Sequence, residues 1–140
     1  MGAWPVWVAA LWWGSLTTLG FGVVPLLFAT LPTPALAANM AARLIEVQTG
    51  VSAVLGVALL VASRAQQSPE LARRAQAATV FILGGMVMAL LVQFGVAPHI
   101  VARDNLRLWH TVGTAMYVVQ WACAGATFWW LVRPQARDQP

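Results

Sequence analysis

Six residues have the types and spacing to do chemistry together: Arg43, Glu46, Arg103, Asp104, Arg107 and His110. Arg43 and Glu46 are three apart, as are Arg107 and His110, so on a helix each pair shares a face. They stand at the entrances of apolar stretches. Ionisable groups there are expensive unless they are paired or face water. Two readings compete. In one, the pairs anchor helix ends and lock a bundle. In the other, they form a polar mouth that binds a small polar or anionic species or relays protons.

The remaining candidates are sparser. His99 and His110 are weak metal or haem candidates, eleven residues apart. Met86, Met88 and Met116 are soft donors that follow no ligand spacing, and haem needs an axial ligand in a large pocket. No cofactor is expected; haem or metal is the alternative the histidines leave open. Cys123 is the sole cysteine, so an internal disulfide and a CxxC site are excluded. It reads as a small packing residue beside Ala122, Ala124, Gly125 and Ala126. No nucleophile–base pair, phosphate loop or carboxylate pair is visible, so no catalytic residue is assigned and the chain does not read as an enzyme. Gln93, Thr114, Tyr117 and Gln120 are polar positions inside apolar stretches and read as interhelical glue.

The elements that must position these residues are four apolar runs: Val6–Pro25, Leu44–Ala62, Ala77–Ala97 and Leu108–Val132. Each is near the ~20 residues a helix needs to cross a ~30 Å hydrocarbon core. Hydrophobic residues make up 60% of the chain and charged residues 9%, against about 25% charged in a soluble domain. The expected fold is all-α: an integral-membrane four-helix antiparallel bundle in one domain, 1–134, with a polar tail, 135–140. Ala35-Leu36-Ala37 resembles a signal-peptide cleavage site. The start of the chain lacks Arg and Lys and its apolar run exceeds an h-region of ~7–15 residues, so it reads as a retained first span.

Helix starts are marked. Thr33 and Pro34 cap and open a helix predicted from Pro34 to Ser63. Ser68-Pro69-Glu70 opens a third, predicted to end near Pro98. Asp104 and Asn105 are cap candidates for the fourth, ending near Arg133-Pro134. Ala10, Gly14, Thr18 and Gly22 form a smooth ridge suited to close helix packing in lipid.

All eight basic residues are arginines, and they stand at helix ends rather than in a run. That distribution excludes a nucleic-acid surface, which needs clustered cations. Arg64, Arg73, Arg74, Arg133 and Arg137 share one side of a four-span chain; Arg43, Arg103 and Arg107 share the other. The positive-inside rule then puts both termini in the cytoplasm, in a bacterial inner membrane. Trp4, Trp7, Trp129 and Trp130 fall at one interface and Trp109 at the other.

The chain repeats itself. Phe21-Gly22-Val23-Val24-Pro25 closes the first run and Phe94-Gly95-Val96-Ala97-Pro98 the third, so Pro25 and Pro98 read as helix-end turns. Arg43-Leu44-Ile45-Glu46 opens the second run and Arg107-Leu108-Trp109-His110 the fourth. This is the pattern of a parallel repeat of two hairpins about an axis normal to the membrane.

Leu11-Trp12-Trp13-Gly14-Ser15-Leu16, the first FGVxP segment with Leu26-Leu27-Phe28, and Phe94–His110 resemble the DUF4149, or TMEM205-like, family of small membrane proteins. The resemblance covers about residues 8–132. It departs at Ile45, where the family has Phe. It implies a small multi-span helical protein without a settled role and supplies no catalytic residues.

Three functions are open. The leading one is an interaction or accessory membrane subunit whose partners are lipid and other membrane helices, including copies of itself. The second is a small transporter or channel with a polar mouth on the non-cytoplasmic side. The third is a haem- or metal-binding membrane redox protein.

Overall fold

Proline placement decides how these helices start and bend. The computed structural model describes residues 3–65 and 69–133, without the side chains of 70–72. The first span is α1 (Trp4–Thr17), a π-helical turn (Thr18–Val23) and α2 (Val24–Thr30). The second is α3 (Pro34–Arg64). The third is α4 (Pro69–Leu91), a second π-helical turn (Val92–Val96) and α5 (Ala97–Val101). The fourth is α6 (Leu106–Val132). Four helices are long and apolar enough to cross a membrane, and no strand occurs among the described residues.

Two predicted starts hold. Thr33 is the N-cap of α3, its hydroxyl accepting from the Leu36 amide at 3.3 Å, with Pro34 in the first turn. The third span opens at Pro69; Ser68 and the tail 134–140 lie outside the described residues. Asn105 occupies the N-cap of α6 in a left-handed conformation, φ 40°, without a side-chain cap bond.

The prolines overturn one expectation. Pro25 and Pro98 do not end their helices. Each sits inside a continuous helix, two residues past a π-helical turn. A proline ring clashes with the carbonyl four residues back and has no N–H to give it. Those carbonyls belong to Phe21 and Phe94, both within the wide turns. One extra residue per turn lets the chain pass the proline and continue. The Val24 amide accordingly bonds Leu19 and the Ala97 amide bonds Val92, each five residues back.

The first span packs on the second and fourth, and the third packs on the same two. Trp12, Leu16, Leu59 and Ile82 are fully buried at the centre. Gly85 admits the Trp12 ring: a Cβ there would stand 2.8 Å from it. Cys123 packs against Gly84 and Gly85, as a small residue should. Outward faces are apolar; on the second span Val47, Val54, Val57 and Val61 are exposed, as lipid contact requires.

Polar bonds tie the spans together. Gln48 donates to Ser15 and Gln120 to Ser52, both at 3.0 Å, and Trp121 donates to Thr17 at 2.9 Å. Such bonds average roughly 0.6 kcal/mol each in a bilayer protein. At one end Trp4, Trp7 and Trp129 are exposed, and the Arg133 guanidinium lies 5.2 Å from the ring centroids of Trp129 and Trp130. On the ridge of Ala10, Gly14, Thr18 and Gly22, a Cβ at Gly14 or Gly22 would meet nothing within 4 Å, so the glycines make no close contact inside the bundle.

Candidate functional site

Beyond the two π turns the helix ends spread. Val24–Thr30 packs on the second span and Ala97–Val101 on the fourth. Between them lies a cavity of about 160 Å³, bordered by all four spans. Small residues keep it open: Gly20 on the first span, Ala38, Ala41 and Ala42 on the second, Ala97 on the third and Gly113 on the fourth. A Cβ at Gly113 would stand 3.1 Å from Val96. Polarity is confined to one wall, where the fourth span presents His110, Thr114 and Tyr117. Their spacing of four and three places them along one helix face.

Tyr117 forms the floor and does something the sequence reading did not anticipate. Its hydroxyl donates to the Leu16 carbonyl at 2.7 Å, so it enters the backbone ladder just before the first π turn. Its ring lies against Gly20, where any Cβ would collide with it. The glue expected of Tyr117 is real, but its partner is backbone. Gln120 also bonds across spans, whereas the Thr114 hydroxyl donates within its own helix to the His110 carbonyl at 2.8 Å. Gln93 differs again: its Oε1 is buried with no partner among the described residues.

The sequence candidates stand on the second span, at the cavity rim and in the turn before the fourth span. His110 is exposed at the cavity rim, its ring edge-on to Phe28 at 6.4 Å between centroids. Its ring nitrogens have no hydrogen-bond partner among the described residues. Arg43 and Glu46 are exposed on the second span, Glu46 next to the outward-facing Val47. No hydrogen bond or ion pair joins Arg43, Glu46, Arg107 and His110 to one another in the described structure. The turn before the fourth span gathers a different set. His99 stacks on Trp109 at 4.0 Å and 3°, and its Nδ1 lies 3.8 Å from the Asp104 carboxylate. Arg103 is exposed there with φ 55°. No group of three His, Cys, Asp or Glu side chains that could hold a metal gathers among the described residues.

A protein-family model described as a domain of unknown function, DUF4149, matches residues 7–109. The chain belongs to the DUF4149 family. The matched stretch covers both FGVxP segments and the Arg43-Leu44 entrance of this DUF4149 chain; His110, Thr114 and Tyr117 follow it. Neither a curated protein nor a solved structure matches the chain. Phe28, Gly20 and Gly113 are site residues that sequence reasoning missed. Their only signal is smallness or position, which acquires meaning once four spans are brought together.

Proposed function

We propose that this DUF4149 protein is a small accessory protein of the bacterial inner membrane, acting by association with other membrane helices. One observation carries the reading. On the ridge of Ala10, Gly14, Thr18 and Gly22, a Cβ at either glycine would meet nothing within 4 Å, and Thr18 and Gly22 are exposed. Small residues at four-residue spacing let a second backbone approach closely, which drives helix association where lipid tails remove the hydrophobic contrast. The described connections 31–33 and 102–105 are short, so they offer little surface outside the bilayer. The buried Trp12, Leu16, Leu59 and Ile82 fill the middle of the bundle. That packing favours association over conduction through one copy.

The test is substitution of Gly14→Leu with Gly22→Leu, followed by co-purification in mild detergent. The double variant should fold normally and lose at least ten-fold of its associated partner or second copy. Unchanged association would sink the reading. The arginine asymmetry supports cytoplasmic termini. In a Cys123→Ser background, an impermeant thiol reagent on intact cells should label Asn105→Cys and spare Ala65→Cys; the reverse pattern would invert the orientation.

A further inference from the structure

The dimensions of the cavity between the helix ends restrict what it can hold. At about 160 Å³ it matches an engineered dry cavity of ~150 Å³ that binds benzene. Seven residues separate His110 at the rim from Tyr117 at the floor, roughly 10 Å of helix rise. Below the floor the bundle is closed by the fully buried Leu16. An acyl chain crossing its own leaflet would need about half of the ~30 Å core, some 15 Å. The cavity is too shallow for it and the right size for one ring.

Its chemistry is equally restricted. The Thr114 and Tyr117 protons are committed to the carbonyls of His110 and Leu16, so those hydroxyls offer acceptor lone pairs. The His110 imidazole, at the rim with no partner among the described residues, is the side-chain group left to donate. The facing walls are aliphatic: Ala41, Ala42, Ile45 and Val96. Phe28 stands exposed at the mouth, edge-on to His110.

We propose that this cavity binds the ring of a membrane-dissolved amphiphile, a hydroquinone with an apolar tail. The outer ring oxygen accepts a hydrogen bond from His110. The tail leaves past Phe28 into the bilayer. The inner ring edge rests on Tyr117, and a ring hydroxyl there donates to the Thr114 or Tyr117 oxygen. The proposal is independent of the association surface on the first span, which lies outside the cavity.

The purified full-length protein, in mild detergent, is titrated with a decyl-substituted hydroquinone, kept reduced under anaerobic conditions, while thermal unfolding is followed. Methyl decanoate, an acyl chain with a carbonyl but no ring, is titrated in parallel. The ring compound should raise Tm saturably and the ester should not. His110→Ala should weaken the ring compound about five-fold, within the range of one hydrogen bond. Ala42→Leu, which fills the cavity, should abolish the shift without lowering the unliganded Tm. Ala38→Leu repeats the test if Ala42→Leu fails to fold. Three results overturn the proposal: no saturable shift with the ring compound, an equal shift with the ester, or a shift that survives in the folded filled variants.

Discussion

The two π-helical turns share the FGVxP pattern and the same five-residue reach of the amide before the proline, yet they are held differently. Phe21–Pro25 and Phe94–Pro98 each carry a proline two residues past the wide turn, and the amides of Val24 and Ala97 each reach five residues back. Matching those bonds pairs Gly20 with Gln93. At Gly20 the bare backbone admits Tyr117, whose hydroxyl satisfies the Leu16 carbonyl. At Gln93 a long polar side chain occupies the corresponding position and leaves its own Oε1 buried without a partner among the described residues. If Arg107–His110 is aligned with Arg43–Glu46, the second-span counterpart of Tyr117 is Ala53, which cannot reach across. The proline explains why a wide turn exists in both halves. The neighbour on the facing helix explains why one is braced.

Removing the brace should have the largest effect. Tyr117→Ala takes away a half-buried ring and the bond to Leu16, and should cost about 3 kcal/mol. Thermal unfolding in mild detergent, followed by circular dichroism, would show it. A loss below about 1 kcal/mol would mean that the first turn stands without Tyr117. Gly20→Leu attacks the same contact from the other side. It forces a side chain into the tyrosine ring and should cost about 2 kcal/mol by overpacking. Gly22→Leu, two residues on and open to the outside, should cost under about 0.5 kcal/mol. Equal losses at the two glycines would show that helix propensity, not the Tyr117 contact, sets the cost.

A finer cut separates the ring from its hydroxyl. Tyr117→Phe keeps the packing against Gly20 and leaves the Leu16 carbonyl without its side-chain donor. The expected cost is about 1 kcal/mol, within the range measured for interhelical bonds in bilayers. A neutral result would assign the bracing to ring packing alone.

Much of this architecture is legible in the residues, because the forces involved are local or one-dimensional. Twenty apolar residues in a row mean a span whatever surrounds them. Thr33-Pro34 starts a helix through its own hydroxyl and its fixed φ. Pro25 and Pro98 depart from the expected helix ends for an equally physical reason. Read locally, a proline after an apolar run is a stop. In lipid the backbone must stay satisfied, and a π turn achieves that at lower cost than an exposed break. The cavity was invisible because it is a space left by alanines and glycines on four separate helices. Tyr117 was recognised as a polar tie, but nothing near it in sequence names a carbonyl on the first span. Spacing puts Arg43 with Glu46 on one face, and both side chains are exposed; the carboxylate that meets a histidine is Asp104, beside His99 in the turn before the fourth span.

The smallest expected effect has the opposite sign, and it sharpens the comparison most. Gln93→Leu removes the amide and leaves a branched apolar side chain of comparable volume. A buried acceptor with no donor costs about 1–3 kcal/mol, whereas an apolar group of similar shape in its place is neutral or stabilising. The variant should therefore match the parent or exceed it by up to about 1 kcal/mol, while Tyr117→Phe, on the braced side, loses stability. Opposite signs would establish that two turns of one sequence pattern rest on different supports. A loss of about 1 kcal/mol in Gln93→Leu would mean that its Oε1 has a donor in the folded protein. Ordered water inside the wide turn is the donor such a site can admit, since a widened turn frees backbone groups that water can bridge. The third span would then be braced by water where the first is braced by a tyrosine.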